Sequence, residues 1–136
     1  MAGYHLVDEA GRFLARDAPA LAERGLLVCG VAGAAAHHGD VLQSDALGPG
    51  AALELRRDPA NPHDPNAIAV HAAAGGQAGW VPRDVAEAVA ASLDEGTPWS
   101  AVVLRERRAS PRDPRTGLTM LLARAPEIEL RGERPP

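Results

Sequence analysis

Short apolar segments, separated by stretches rich in glycine, proline and charge, dominate the hydropathy pattern of the chain. Each has the length of a β-strand rather than that of a helix. Within residues 51–57, Leu53 and Leu55 alternate with Glu54 and Arg56, as expected for a strand with one face in the core. The segments predicted as strands are residues 26–31, 51–57, 67–71, 77–81, 99–105 and 118–124.

One long segment has helical spacing instead. Apolar residues recur at helical intervals between positions 85 and 93, and Gly96 lies just past the predicted end. Asp84, followed three residues later by Glu87, predicts a capping box at the start of this helix.

The rest of the chain is predicted as connections. Residues 1–25 are predicted to form a small hairpin and a helical turn over residues 19–24. Residues 32–50 are rich in Gly, Ala, His and Asp and are predicted as a long loop, and residues 106–117 as a long exposed hairpin. The fold class is therefore α+β but mostly β, a small antiparallel barrel of about six strands with one or two helices.

Composition limits the functional classes. The chain has 136 residues, the size of one domain, with 46% hydrophobic and only 3% aromatic residues. A formal net charge of -4 excludes a polycation that coats nucleic acid through bulk charge. All basic residues are Arg, within an Ala-, Gly- and Pro-rich composition typical of a GC-rich bacterial genome, so the Arg excess is not evidence for phosphate recognition.

Cysteine usage and hydropathy exclude further classes. A single cysteine, Cys29, rules out an intramolecular disulfide framework and a multi-cysteine zinc site, and its apolar neighbours predict a buried, unreactive thiol. Neither a membrane-spanning run nor a secretory signal is recognisable, so a cytoplasmic protein without a membrane partner is expected. Because phosphate-binding glycine loops and catalytic constellations are also missing from the sequence, we expect no enzymatic activity, no cofactor and no metal.

Residues 58–66 contain the most distinctive sequence in the chain. Three prolines and two asparagines in nine residues can form neither a helix nor strand hydrogen bonds, which predicts a rigid, ordered loop. Residues 57–70 read Arg-Asp-Pro-Ala-Asn-Pro-His-Asp-Pro-Asn-Ala-Ile-Ala-Val, and residues 79–83 read Gly-Trp-Val-Pro-Arg. These two motifs resemble the HIRAN domain, and the resemblance extends over roughly residues 26–124.

The resemblance implies a modified OB-like β-barrel. HIRAN modules occur at the front of SNF2-type fork-remodelling helicases and as free-standing bacterial proteins. The expected organisation is an N-terminal extension at 1–25, the HIRAN-like barrel at 26–131 and a tail at 132–136. The implied partners are single-stranded DNA or DNA ends, including damaged or stalled structures, and a repair or helicase protein.

The resemblance also implies roles for five residues of this chain. Asp64 would accept the terminal 3′ hydroxyl, with Asn61 as a companion polar contact. His63 and Trp80 would lie beside the DNA end, and Arg83 would face the backbone. An ionised carboxylate only accepts hydrogen bonds, so an Asp in a basic pocket favours a free hydroxyl over a phosphate.

Five further arginines could form a basic face across neighbouring strands. Arg57 is counted among the expected nucleic-acid-binding residues for this reason, although solvated barrel surface is the simpler interpretation. The arginines are Arg56, Arg57, Arg105, Arg107 and Arg108.

Several of these residues have structural alternatives. Asp64, Asn61 and Asn66 could simply shape the proline-rich loop, and Trp80 could pack in the core. Residues 32–34 and Leu118 also stand where DNA-binding relatives carry basic and aromatic residues. The alternative function is therefore a protein-interaction domain that kept the barrel, lost the DNA-end pocket and docks a partner near residues 32–36.

Overall fold

An antiparallel sheet of six strands forms the body of the protein, seen here in a computed structural model that describes residues 4–7, 10–34, 38–73 and 75–128. The strand order is β1-β6-β5-β2-β3-β4. Every strand predicted from the hydropathy pattern is present, with ends within two residues of the expected ones. The strands are β1 (Leu26–Gly30), β2 (Ala52–Arg57), β3 (Ile68–Ala72), β4 (Gln77–Trp80), β5 (Ser100–Arg107) and β6 (Gly117–Ala123).

The sheet curls until its two edges meet. Just past β1, the Ala32 amide donates to the Trp80 carbonyl at 2.8 Å, and the Trp80 amide donates to the Ala32 carbonyl at 2.9 Å. Gly79 permits this approach, because a Cβ built there would lie 2.6 Å from Val31 Cγ1 and closer still to the Ala32 carbonyl oxygen. The result is the small OB-like barrel expected from the sequence.

Among the described residues, three helices accompany the sheet, where one or two were predicted: α1 (Pro19–Glu23), α2 (Gly39–Leu42) and α3 (Arg83–Asp94). The prediction of a loop over residues 32–50 is wrong, since this stretch contains α2 and a 3-10 turn at Asp45–Leu47. Both elements exist because each buries a leucine, Leu42 and Leu47, in the barrel core. In the described part of the chain, no helix has the length and apolarity that a membrane crossing requires.

The predicted capping box at Asp84 is also wrong. Pro82 is the N-cap of α3, and its carbonyl accepts from the amides of Val85 and Ala86 at 3.0 and 2.9 Å. Asp84 falls inside the first turn, where its charge complements the positive end of the helix. Arg83 is therefore the first helical residue, and the helix begins directly beside the end of β4.

A buried arginine, Arg115, connects α2 and the 3-10 turn to residues 106–117, which were predicted as a long exposed hairpin. Arg115 Nε donates to Glu106 Oε2 at 2.5 Å, and its Nη1 donates to the carbonyls of Leu42 (3.0 Å) and Ser44 (2.5 Å). The Gln43 side chain bonds to both the amide and the carbonyl of Arg115, at 2.9 and 2.8 Å. These hydrogen bonds join segments that are about 70 positions apart in sequence.

Two apolar clusters pack on opposite faces of the sheet. The larger one fills the barrel. The smaller one, here called the outer cluster, consists of Val102, Leu104 and Leu121, covered by neighbours that include Tyr4, Leu6 and Ile128. The Tyr4 amide donates to the Leu104 carbonyl at 2.7 Å. Because β6 has apolar neighbours on both faces, all seven of its residues are buried.

The expected N-terminal hairpin is present in part. Val7 and Phe13 form an antiparallel bridge, and the Leu14 amide donates to the Leu6 carbonyl at 2.8 Å. The turn of this hairpin is expected at residues 8–11, of which residues 8 and 9 lie outside the described part of the chain.

The thiol of Cys29 is expected to be unreactive in the folded protein. It lies in the barrel core, and burial raises the pKa of its thiol to about 12, so almost no thiolate exists near neutral pH. We expect no reaction with an aromatic disulfide reagent at pH 8 under native conditions, and reaction of one thiol per chain after unfolding in guanidinium. Stoichiometric labelling of the native protein would contradict the burial.

Candidate nucleic-acid interface

An open pocket of about 280 Å³ lies at the point where the barrel closes. The proline-rich loop at residues 58–66 forms one wall, and the end of β4 with the start of α3 forms the other. Five of the six predicted site residues line it, and Arg57 does not. The lining residues are Ala32, Asn61, His63, Asp64, Ala67, Trp80, Val81 and Arg83.

Asn61 organises the loop from within. Its Oδ1 accepts hydrogen bonds from the amides of His63 (2.9 Å) and Asp64 (3.2 Å), and its Nδ2 donates to Asp58 Oδ2 at 3.2 Å. The amide group is therefore engaged on both sides. Asn61 shapes the pocket wall, which is the structural alternative considered for it.

Asp64 divides its two carboxylate oxygens between the loop and the pocket. Oδ1 accepts from the Asn66 amide at 2.9 Å, which fixes the turn into β3. Oδ2 lies 3.7 Å from Arg83 Nε, longer than a hydrogen bond, and the side chain is 19% exposed. One acceptor oxygen thus remains directed towards a cation on the opposite wall.

Arg83 places the positive charge of the pocket. Its side chain is 76% exposed, and its Nη2 donates to the His63 carbonyl at 3.3 Å. Because Arg83 is the first residue of α3, its guanidinium lies beside the positive end of the helix dipole, where anions are favoured. The side chain can therefore meet a phosphate while it stays next to Asp64.

The two tryptophans have different environments. Trp99 packs against the barrel core, and its Nε1 donates to Ser92 Oγ at 2.9 Å. Trp80 is half-buried at the end of β4 and contributes to the pocket lining instead. Together with the exposed ring of His63, it offers the flat surface on which a base can stack.

Arg57 lies outside the pocket, under the base of the loop. Its guanidinium binds the carboxylate of Asp94 and the carbonyls of Pro65 and Ala67. Two other arginines of the predicted basic face are paired with carboxylates: Arg56 with Glu54 at 2.7 Å and Arg108 with Glu106 at 2.6 Å. These pairs reduce the net positive charge of the predicted face.

The positions that depart from the DNA-binding pattern are not equivalent. Ala32 lines the pocket, whereas Ala34 and Leu118 are buried in the barrel core, Leu118 with 0% exposure. Leu118 is therefore a core residue of this chain and does not line the pocket. The pocket differs from the expected one chiefly beside Ala32.

Fold and site together define a small binding module, an OB-like barrel with its pocket at the closure. The HIRAN domain family matches residues 25–122, and the chain belongs to this family. HIRAN domains are nucleic-acid-binding modules.

Two solved structures share the fold. The crystal structure of the HIRAN domain of human HLTF is 26% identical, with a TM-score of 0.52 over 73% of this chain and 76% of that chain. A structural-genomics protein from Lactobacillus plantarum is 21% identical, with a TM-score of 0.52 over 73% of this chain and 99% of that chain. None of the curated proteins matches the chain.

Proposed function

We propose that this protein binds single-stranded DNA and that its pocket receives the 3′-terminal nucleotide. The observation that carries the proposal is the pairing of Asp64 Oδ2 with the exposed Arg83 guanidinium, beside Trp80, in one pocket. An acceptor, a cation and an aromatic ring are the three groups that a terminal nucleotide requires.

Each group has a distinct partner on the nucleotide. The 3′ hydroxyl donates to Asp64 Oδ2, and a phosphate at the same position is repelled by the carboxylate. The Arg83 guanidinium binds the phosphate on the 5′ side of the terminal sugar. The terminal base stacks on Trp80, with His63 at the rim.

These few contacts predict a modest affinity for DNA. One stacked base contributes about 1–3 kcal/mol, and Arg83 provides one phosphate contact. The formal net charge of -4 adds no long-range attraction for DNA. Recognition in this protein therefore depends on the end of the strand rather than on its length.

Asp64→Asn is expected to abolish discrimination between DNA ends. We expect the wild-type protein to bind an oligonucleotide with a 3′ hydroxyl at least about tenfold more tightly than one with a 3′ phosphate, since a hydrogen bond to a charged group is worth about 1.5–3 kcal/mol. Asn keeps an acceptor for the Asn66 amide but removes the negative charge. Fluorescence anisotropy with a 5′-labelled thymidine decamer, at low salt, measures both affinities.

Asp17→Asn, an exposed carboxylate away from the pocket, is the matched control and should retain the wild-type ratio. Equal affinities of the wild-type protein for the two ends, unchanged by Asp64→Asn, would contradict the end-recognition mechanism. No DNA binding at low salt would favour the protein-interaction domain, because the pocket wall at Ala32 lacks a basic or aromatic side chain.

A further inference from the structure

We infer that Arg57 and Asp94 form a clamp that positions Asp64 for recognition of the DNA end, so that Arg57 is a positioning residue and not a phosphate ligand. The inference rests on the proposed function. It assigns a role to two residues that lie outside the pocket.

The clamp has four polar contacts. On one side, Arg57 Nε and Nη2 donate to Asp94 Oδ1 and Oδ2 at 3.0 and 3.2 Å, a bidentate pair. On the other side, Nη1 donates to the Ala67 carbonyl at 2.8 Å and Nη2 to the Pro65 carbonyl at 3.0 Å. The Arg57 side chain is only 17% exposed.

The two carbonyls belong to the turn that holds Asp64. Within this turn the Ala67 amide donates to the Asp64 carbonyl at 3.1 Å, and the Asn66 amide donates to Asp64 Oδ1 at 2.9 Å. Arg57 therefore fixes the residues that restrain the Asp64 carboxylate. The direction of Oδ2, the oxygen left for a ligand, depends on this turn.

The clamp also connects the two walls of the pocket. Helix α3 begins at Arg83, which lines the pocket, and ends at Asp94, which binds Arg57. Arg57 is the last residue of β2 and leads directly into the loop. Loop and helix are thus tied at the clamp, and this tie restrains how Asp64 and Arg83 face each other.

The charge of Arg57 is not available to DNA. Its guanidinium lies between a carboxylate and two carbonyls, and the hydrogen bond from Arg57 lowers the pKa of Asp94, so the pair stays ionised at neutral pH. A phosphate would have to displace Asp94. Lysine retains the charge but cannot span both partners with a planar fork, which makes Arg57→Lys a selective test.

Amide hydrogen exchange and DNA binding, measured on the full chain, test the clamp together. In Arg57→Lys we expect the amides of Asn66 and Ala67 to exchange about tenfold faster, as loss of two hydrogen bonds allows. The Val103 amide in β5 should keep its wild-type rate. We expect the preference for a 3′ hydroxyl over a 3′ phosphate to fall about fivefold.

Asp94→Asn should change the exchange rates and the end preference in the same direction, but by less. Because Asp94 is exposed, this variant should fold even if Arg57→Lys does not, and it then provides the test. Glu54→Gln, which removes the exposed Arg56–Glu54 pair on the same strand, is the control and should change neither measurement. Unchanged exchange at Asn66 and Ala67, or faster exchange with an intact end preference, would overturn the inference. A wild-type protein without any end preference would instead refute the proposed function, and exchange would still show whether the clamp orders the turn.

Discussion

Replacing Arg115 with methionine is expected to lower the free energy of unfolding by about 3 kcal/mol and the Tm by roughly 10 °C. The substitution removes one partner of the buried Arg115–Glu106 pair and both hydrogen bonds from Arg115 Nη1 to the carbonyls of Leu42 and Ser44. Removing one member of a buried pair costs about 3–5 kcal/mol, and the lower value applies because Arg108 still neutralises Glu106. Methionine fills much of the volume, so the loss reflects polar contacts.

Thermal and urea denaturation followed by circular dichroism measure this change. Arg112→Met, in the same hairpin but exposed, is the matched control and should leave the Tm within about 1 °C, as is usual for surface substitutions. An Arg115→Met protein as stable as the control would show that the buried pair contributes nothing to folding.

The same pair gives stability a defined pH dependence. Hydrogen bonds from Arg108 and then Arg115 hold the pKa of Glu106 below its ordinary value. A carboxylate with a lowered folded-state pKa stabilises the protein above its unfolded pKa, and this contribution disappears as the pH falls through the folded value. The acid-labile part of the stability should therefore be smaller in Arg115→Met than in the wild-type protein.

Gly79→Ala is expected to open the barrel and to weaken ligand binding at the same time. The added Cβ would lie 2.6 Å from Val31 Cγ1 and closer to the Ala32 carbonyl oxygen, so the chain after β1 must move away from β4. Overpacking of this kind costs about 1–3 kcal/mol. The two hydrogen bonds between Ala32 and Trp80 add about 1 kcal/mol each, so we expect a loss of about 3 kcal/mol.

Ala32 and Trp80 both line the pocket, so separating them also changes its shape. Urea denaturation and DNA anisotropy on the same preparation measure both effects. Gly30→Ala is the control, since a Cβ there meets its nearest neighbour, the Leu118 carbonyl oxygen, at an ordinary 3.7 Å. If Gly79→Ala were as stable as Gly30→Ala, closure would not depend on the missing side chain.

The strands could be predicted because their signals are local. Alternation in residues 51–57 and the glycine- and proline-rich boundaries of the other segments define each strand without knowledge of its neighbours. The same local approach failed for residues 32–50. There the helices are short, lack strong periodicity and depend on burial of Leu42 and Leu47 and on bonds from the distant Arg115.

The candidate site could likewise be predicted only where its residues are close in sequence. The proline-rich loop and the segment around Trp80 and Arg83 come together because they flank the β3–β4 hairpin. Residues that form one sequence motif are therefore also close in the structure. Arg57 could not be placed in this way. Its partner Asp94 lies 37 residues further along the chain, and only the packing of α3 brings the two charges together.

Part of the cover of the outer cluster comes from outside the segment that matches the family. Val102, Leu104 and Leu121 lie inside the family match at 25–122, whereas Tyr4, Leu6 and Ile128, which cover them, lie outside it. A fragment trimmed to the match would expose a strip of apolar sheet to water, and such strips promote aggregation. For expression or for fusion to another domain, we therefore expect a stable fragment of this chain to need wider boundaries than the family match.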